Sequence, residues 1–294
     1  MAIFKLKPAC KNYLWGGRRL AKEFNIETDE KILAEAWMLS AHQDGMSVIT
    51  TGKFAGKNFG EYLQQENFPL LIKFIDAEKN LSIQVHPEDS YALKNENQFG
   101  KDEFWYILDA KPNAFIYYGF KQKISREEFK RRIEENTLLE VLNKVEVKKG
   151  DSFFIPAGTL HSVGAGVLLA EIQRSSNITY RIYDYGRGRP LHIEKALDVT
   201  NLSPPIHYAK NFPHLAKCKY FTVDKINFDG KIISEIGGTV DEKTFLSVLI
   251  LDGRGKIFAC GDELSFQKGD SIFISANSGD WKICGSCNAL LTTI

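Results

Sequence analysis

The chain has 294 residues, of which 44% are hydrophobic and 26% are charged. This balance is typical of globular proteins and excludes a disordered or fibrous chain. Lys and Arg number 38 against 37 Asp and Glu, so the net charge of +1 gives no overall field that would attract nucleic acid or an anionic membrane. At roughly 150 residues per domain the length allows two domains or one large all-β domain. No apolar run approaches the roughly 20 residues of a membrane span.

The N-terminus and the cysteines both indicate a cytoplasmic protein. The first residues contain no long apolar segment followed by a small-residue cleavage site, which a secretory signal requires. The five cysteines are odd in number and widely scattered, which favours reduced thiols over a disulfide framework. Cys284 and Cys287 have the spacing of half a zinc site, but no second pair completes the four ligands of a structural site. We therefore interpret them as small residues near a terminal strand.

Aromatic residues make up 12% of the chain, and many short aromatic or β-branched runs are bounded by Gly, Asn and Asp. This texture is typical of an all-β protein. Strands are predicted, in chain order, over residues 70–75, 81–85, 103–108, 114–118, 152–155, 167–173, 222–228, 245–251, 256–259 and 271–274. Helices are predicted over residues 59–66, about 126–142, and 193–200. The longest of them follows Ser125, which has capping-box spacing to Glu128.

A proline pair marks the expected domain boundary. Pro204 and Pro205 follow the last predicted helix and cannot lie inside a regular element. We therefore predict a first domain over residues 1–205 and a second, smaller β domain over residues 206–294.

An internal repeat supports that division. Residues 149–161 align without a gap with residues 268–280, and the two segments share Lys, Gly, Asp, Ser, Phe, Ile and Ala. Two related barrels explain such a duplicated β unit most simply. The first copy ends at His161 and the second at Asp280. We therefore expect no metal site in the second domain, which we interpret as a scaffold or lid.

Motifs along the first domain resemble a known family. The spacing of Gly150, Pro156, Gly158 and His161 matches the second motif of the cupin superfamily, whose members are small jelly-roll barrels that hold a divalent metal. Further strings occur in the order Trp15-Gly-Gly, Glu35-Ala-Trp, Ser40-Ala-His, Ser82-Ile-Gln-Val-His-Pro, Lys101-Asp-Glu-Phe-Trp-Tyr and Thr179-Tyr-Arg-Ile-Tyr-Asp-Tyr. Together they are similar to the type I mannose-6-phosphate isomerases in their short bacterial form. The resemblance is strong between about residues 12 and 200 and faint beyond 205.

This resemblance implies a fold and an activity. The expected fold is all-β, with two cupin-type jelly-roll barrels and a few short helices. The expected reaction is the metal-dependent interconversion of mannose 6-phosphate and fructose 6-phosphate through an enediol. The partner would be a small sugar phosphate, with no nucleic acid and no membrane, and the oligomeric state stays open. No redox cofactor is needed for an aldose–ketose isomerisation.

Four residues form the candidate metal site, namely Gln84, His86, Glu103 and His161. Gln84 and His86 are two apart on a predicted strand, so their side chains share one face. Glu103 begins the next strand, and His161 lies on the turn of the cupin motif. Two imidazoles, a carboxylate and an amide oxygen leave coordination positions open, which is typical of a catalytic site. We expect Zn²⁺, with other divalent metals open, and Gln84 is the least certain ligand.

Arginine and lysine provide the candidate cations for the substrate. From the residues alone, Arg181 either pairs with Asp184 or acts in a site, and the resemblance carries the family's active-site arginine onto it. A guanidinium keeps its proton, so its role is electrostatic. Lys101 is the expected second cation, and Arg187 and Arg189 are weaker candidates.

The sequence leaves the general base and two other functions open. Lys101, Glu103, His42 and a metal-bound water are all candidates for the base. The alternatives are another metal cupin enzyme, such as a cupin-type glucose-6-phosphate isomerase or an iron-dependent dioxygenase, and a non-catalytic sugar-phosphate sensor. A sensor would be expected to lack one of the metal-ligating residues or Arg181, and the sequence contains all of them. His207 and His214 lie outside the motifs and are expected at the surface.

Overall fold

The computed structural model describes residues 1–64, 68–206 and 214–294. The strands are β1 (Ile3–Lys7), β2 (Ala9–Lys11), β3 (Glu35–Leu39), β4 (Val48–Ile49), β5 (Leu70–Ala77), β6 (Ile83–Val85), β7 (Glu103–Ala110), β8 (Phe115–Phe120), β9 (Leu142–Glu146), β10 (Ser152–Ile155), β11 (His161–Val163), β12 (Val167–Arg174), β13 (Tyr180–Tyr183), β14 (Ala216–Lys217), β15 (Thr222–Phe228), β16 (Glu235–Val240), β17 (Leu246–Ala259), β18 (Asp262–Gln267), β19 (Ser271–Ile274) and β20 (Gly279–Thr293). The α-helices are α1 (Arg19–Glu23), α2 (Phe59–Leu63), α3 (Asp89–Glu96), α4 (Arg126–Glu134) and α5 (Ile193–Val199). Short 3-10 turns cover Gly52–Phe54 and Leu138–Glu140.

Two antiparallel sheets form the first part of the molecule. One has six strands in the order β10-β7-β12-β5-β3-β2, and the other has five in the order β13-β6-β11-β8-β9. Both sheets contribute to one buried cluster, with Trp105 and Leu169 from the first and Ile116 and Val163 from the second. This two-sheet arrangement is that of a cupin-type jelly roll, as expected. The candidate ligands lie on both sheets.

The strands of the C-terminal unit, by which we mean residues 214–294, lie in a third sheet. Its nine strands include the path β14-β15-β20-β17-β19-β1-β4, with β16 paired to β20 and β18 to β17. The interior of this unit is apolar, with Val248, Ile257, Ile272 and Ile283 fully buried. Packed hydrophobic side chains therefore fill the interior of this unit.

The N-terminal strand belongs to the C-terminal sheet. β1 pairs with β19 from Ile3 opposite Ile274 to Leu6 opposite Ser271. Close by, aromatic rings from both parts of the chain pack together, with ring centroids 5.4 Å apart for Phe4 and Phe273 and 4.9 Å for Phe68 and Phe245. The division at residue 205 stays a prediction, and this pairing joins the two parts across it.

Every predicted strand overlaps an observed one, but together they account for only nine of the twenty strands among the described residues. The predicted strands 245–251 and 256–259 are a single strand, β17, because a bulge absorbs the polar residues between them. The register shifts between Ile250 and Asp252, and Gly253 has φ of +96°. The 15-residue strand β20 was not predicted. Its small and polar residues interrupt the β-branched pattern on which the prediction depended.

The predicted helix over 126–142 is wrong at its C-terminal end. Ser125 caps α4 as predicted, because its hydroxyl accepts the Glu128 amide at 3.1 Å. The helix then ends at Glu134, since Asn136 adopts φ of +57° and the Thr137 amide bonds back to the Arg132 carbonyl at 2.9 Å. The predicted helices 59–66 and 193–200 correspond to α2 and α5, and residues 65 and 66 lie outside the described part of the chain. Helices α1 and α3 were not predicted.

Candidate metal centre

His86, Glu103 and His161 converge between the two N-terminal sheets. One ligand atom from each lies within 4.8 Å of those of the other two, and all three residues are buried. His86 directly follows β6, Glu103 is the first residue of β7, and His161 is the first residue of β11. β11 pairs with β6, which places His161 opposite Gln84. His161 therefore lies on a strand, not on the predicted turn, and the strand pairing fixes its direction.

The two imidazoles are oriented through their outer nitrogens. His86 Nδ1 lies 2.7 Å from the Ile178 carbonyl, and His161 Nδ1 lies 2.8 Å from the Thr159 carbonyl. A carbonyl only accepts, so each Nδ1 carries the proton and each Nε2 keeps a lone pair. The Nε2 atoms face Glu103, at 3.2 Å for His86 and 3.7 Å for His161. Backbone carbonyls commonly hold metal-binding histidines in this tautomer.

The Glu103 carboxylate is buried with no hydrogen bond to either oxygen from any described residue. Lys101 Nζ is 2.7 Å from Oε1, so the two charges pair, but the contact lacks hydrogen-bond angles. Burial raises the pKa of Glu103, but neighbouring groups, first among them the Lys101 ammonium, outweigh burial and hold the pKa well below its usual value. A buried, ionised carboxylate whose oxygens accept no hydrogen bond can bind a second cation beside Lys101.

Burial also keeps both imidazoles neutral. Together with the Lys101 charge it lowers the pKa of His86 to about 3, and burial lowers the pKa of His161. Two neutral imidazoles and an ionised carboxylate are the protonation states that a divalent metal requires. The donor set of this site therefore fits the expected metal.

Gln84 and Lys101 adjoin the three central side chains. Gln84 Nε2 lies 3.4 Å from His161 Nε2, while its Oε1 accepts a hydrogen bond from Ser82 at 3.3 Å. A half-turn of the amide would exchange its two ends and direct Oε1 toward His161. Lys101 Nζ lies 3.2 Å from His86 Nε2 as well as close to Glu103. The Lys101 ammonium is therefore in direct contact with two of the candidate metal ligands, and a residue that only binds substrate would not need to be so close to them.

An open cavity of about 270 Å³ adjoins the centre, and its lining includes Gln84, Lys101, His161, Arg181 and Arg189. Arg181 donates from Nε to Ser82 Oγ at 3.3 Å and from Nη1 to the Pro190 carbonyl at 3.0 Å. It pairs with no carboxylate in the described part of the chain. Burial and the neighbouring charge of Arg189 lower its pKa. A cation in this state favours an anionic ligand.

Other arginines form the ion pair with Asp184 that was one of the two alternatives for Arg181. Arg187 Nη2 lies 2.7 Å from Asp184 Oδ1, and Arg189 Nε donates to Asp184 Oδ2 at 2.8 Å. Arg187 also donates to the Asn80 carbonyl at 2.8 Å and does not line the cavity. Arg187 therefore has a structural role, whereas Arg181 and Arg189 face the cavity.

One wall of the cavity contains a buried charged group that the sequence patterns did not predict. Lys73 Nζ lies 3.5 Å from Glu35 and 3.2 Å from Glu171, and all three line the cavity. Trp37 and Trp105 donate their indole N–H groups to Glu35 at 2.7 Å and to Glu171 at 2.9 Å. Lys73 and Glu171 each lie within a largely apolar strand, and such an isolated charge is the signal that could have revealed them.

The remaining candidates lie away from the centre. His42 packs edge-on against Trp37 and accepts the Asp44 amide, as expected for a packing role. Asp280 accepts a hydrogen bond from Thr239 at 2.7 Å on the exposed side of β20. His214 is partly buried in an ion pair with Asp224, and His207 lies outside the described residues.

Comparison with known proteins decides the family. Residues 3–116 match the model of the phosphomannose isomerase type I catalytic domain, and residues 210–294 match that of the mannose-6-phosphate isomerase cupin domain. The chain is 34% identical to mannose-6-phosphate isomerase ManA of Bacillus subtilis over 97% of both chains. It is also 34% identical to mannose-6-phosphate isomerase of Streptococcus mutans over 92% of both. The chain belongs to the type I mannose-6-phosphate isomerase family.

Solved structures of this family agree with the fold. The mannose 6-phosphate isomerase of Bacillus subtilis superposes with a TM-score of 0.91 over the whole of both chains, at 30% identity. The phosphomannose isomerase of Salmonella typhimurium superposes with a TM-score of 0.77 over 99% of both chains, and its 15% identity supports the fold alone. The family resemblance and the cupin-type all-β fold expected from the motifs are confirmed. Among the described residues, no helix is both long and apolar enough to cross a bilayer.

Proposed function

We propose that this member of the mannose-6-phosphate isomerase family interconverts mannose 6-phosphate and fructose 6-phosphate at the centre formed by His86, Glu103 and His161. The observation that carries the proposal is the convergence of these three ligand groups beside an open cavity, whose wall includes an arginine that pairs with no carboxylate among the described residues. The family of the chain and the names of its curated relatives favour this reaction over another metal cupin activity or a sugar-phosphate sensor.

The proposed metal is Zn²⁺. Imidazole and carboxylate donors suit zinc, and three protein ligands with an open position are typical of its catalytic sites. Gln84 would supply a fourth donor once its amide turns Oε1 toward His161. When bound, the metal polarises the carbonyl and hydroxyl oxygens of the open-chain sugar and so favours removal of the neighbouring carbon-bound proton.

Lys101 and Arg181 would act on the charges of the substrate. With the Glu103 charge compensated at the metal centre, the Lys101 ammonium becomes available to donate to a sugar oxygen. Arg181 keeps its proton and has free donors toward the cavity, so it stabilises an oxyanion or the phosphate. Arg189 shares the charge of Asp184 with Arg187, and so it still adds to the positive potential of the same wall.

The lining of the cavity narrows the choice of general base. His42 and Glu103 are not among the described residues that line the cavity, whereas Lys101 and Glu171 are. Burial and the Glu103 charge raise the pKa of Glu171. A general base works best with a pKa near neutrality. Glu171 therefore joins Lys101 as a candidate, and the geometry favours both over His42.

The proposal is tested with purified protein supplied with mannose 6-phosphate, by following fructose 6-phosphate in a coupled assay. Activity is measured before chelation, after chelation, and after addition of Zn²⁺ or Mn²⁺. We expect chelation to abolish turnover and Zn²⁺ to restore it. His161→Ala should abolish both turnover and stoichiometric metal binding, whereas the control His214→Ala should retain both. Undiminished activity in protein whose metal content has fallen to zero would disprove the proposal.

A further inference from the structure

The C-terminal unit contacts the part of the chain that carries the metal centre, which we call the catalytic part. Tyr220, in the turn before β15, donates its hydroxyl to Asp89 Oδ2 at 2.7 Å. Asp89 is the first residue of α3, three residues after His86, and its Oδ1 accepts the Gly100 amide at 2.8 Å. Tyr220, Asp89 and Lys101 line one cleft. A single carboxylate thus links the C-terminal unit to the two segments that carry His86 and Lys101.

Gly100 brings those two segments into backbone contact. A β-carbon at this position would lie 2.5 Å from the Asp89 nitrogen and 2.7 Å from the Pro87 carbonyl oxygen, so only glycine fits. The next residue, Lys101, donates its amide to the same Pro87 carbonyl at 3.1 Å. The residues that follow directly, Lys101 and Glu103, place their side chains at the metal centre. A shift at this junction therefore moves both side chains.

Arg174 holds the junction from a third strand. Its Nη1 lies 2.7 Å from both carboxylate oxygens of Asp89. Its guanidinium lies between two aromatic rings, 4.3 Å from the centroid of Phe99 and 3.9 Å from that of Tyr220. Its own amide donates to the Asp102 carbonyl at 3.2 Å. Arg174 is 7% exposed, so these cation–π contacts are largely desolvated. Tyr220 completes both the hydrogen bonding of Asp89 and the stacking of Arg174.

We propose that Tyr220 is a positioning residue for the isomerisation. From the C-terminal unit it fixes Asp89 and Arg174, which in turn fix residues 100–103 and so the Lys101 ammonium and the Glu103 carboxylate. The inference rests on the proposed function of the metal centre. It gives the C-terminal unit, whose interior is apolar, a part in catalysis beyond that of a scaffold. Displacement of a catalytic group by about 1 Å can cost on the order of 100-fold in rate.

The test compares two substitutions in the C-terminal unit of the full-length, zinc-loaded enzyme. Tyr220→Phe removes the hydroxyl and keeps the ring on Arg174, so it isolates the bond to Asp89. The matched control Lys225→Met removes the 2.6 Å hydrogen bond from Lys225 Nζ to the Tyr106 hydroxyl, which also joins the C-terminal unit to the catalytic part. For each variant we would measure kcat, KM, the thermal unfolding midpoint and amide hydrogen exchange of the peptide covering residues 97–103.

Tyr220→Phe should speed exchange of the Gly100 amide about tenfold and lower kcat about tenfold, as expected for loss of a hydrogen bond to a charged group. KM should stay within about twofold, because Arg181 is untouched. Lys225→Met should leave exchange and kcat within about twofold at a similar unfolding midpoint. Unchanged exchange in Tyr220→Phe, or a loss of kcat no greater than that of the control, would overturn the proposal. An inactive wild type would instead overturn the proposed function, and exchange in the chelated protein would still decide whether Tyr220 fixes the segment.

Discussion

Arg181 and Arg187 lie close in sequence and have different environments. The Arg187 side chain forms an ion pair with Asp184 and donates a hydrogen bond to a backbone carbonyl. The Arg181 side chain makes two hydrogen bonds and faces the cavity. A guanidinium that holds structure is saturated by protein acceptors, while one that binds substrate keeps donors free. The sequence could not separate these roles, because both arginines are equally plausible partners for Asp184 along the chain.

Arg181→Ala should lower kcat/KM by about 100-fold or more, the usual effect of removing a preorganised charge from an active site. The thermal unfolding midpoint should change little, because the Arg181 side chain makes only two hydrogen bonds with described residues, both 3.0 Å or longer. Arg187→Met is the control and should show the opposite pattern, with a lower midpoint and activity within a few-fold of wild type. Equal activity losses in the two variants would contradict the separation of roles. The coupled assay and thermal denaturation measure both effects.

At the scale of the element, β5 combines an apolar strand with one buried ammonium. Every residue of β5 from Leu70 to Ala77 is buried, Lys73 included. Burial opposes the charged form of Lys73, but Glu35 and Glu171 outweigh it and raise the pKa of the ammonium. β5 lies between β3 and β12 in the sheet, so without Lys73 the carboxylates of Glu35 and Glu171 would lose the ammonium that lies between them.

Lys73→Met should lower the free energy of unfolding by about 3–5 kcal/mol at pH 8, as for other broken buried ion pairs. The loss should be smaller at pH 5. Because burial raises the pKa of Glu171, the folded protein binds more protons than the unfolded protein above the ordinary carboxyl pKa, and its stability falls as pH rises. The Lys73 charge lowers the pKa of Glu171, so without Lys73 this fall in stability with pH is steeper. Denaturant unfolding of the chelated protein at both pH values measures this. A matched control is Lys195→Met, whose exposed ion pair with Glu96 should contribute less than about 1 kcal/mol at either pH.

Local patterns predicted nine of the twenty described strands, three of the five described α-helices and part of the site. His86, Glu103 and His161 could be identified because motif spacing and strand alternation are short-range signals. Lys73 and Glu171 were missed because an isolated charge in an apolar strand has a meaning only when the facing strand is known. The stop of α4 was missed because Asn136 in a left-handed conformation leaves little trace in hydrophobic periodicity. Tyr220 could not be found at all, since it meets Asp89 across the fold.

At the scale of the molecule, the two parts of the chain share a core. One buried cluster includes Phe4, Phe59 and Phe68 from the first part and Phe245 and Phe273 from the second. Neither part can bury these rings alone. Each aromatic ring removed from such a cluster costs about 3–5 kcal/mol, a large share of the stability of an ordinary domain.

The intact chain should therefore unfold in one cooperative transition in denaturant. Far-ultraviolet circular dichroism reports mainly on all three sheets, and tryptophan fluorescence reports on Trp15, Trp37 and Trp105 in the first part and Trp281 in the second. The two probes should give the same midpoint in metal-free protein. Two separated transitions would mean that the units fold independently, and a fragment of residues 1–205 would then be stable by itself.

The pairing of β1 with β19 also has a consequence for synthesis on the ribosome. Leu6 is synthesised about 265 residues before its partner Ser271, an interval of roughly 13–53 s at 5–20 residues per second. Throughout that interval an apolar strand has emerged without its partner, and unpaired strands of this kind invite association between chains. β1 therefore finds this partner only after β19 has been synthesised, so translation arrested before β19 would release an aggregation-prone product.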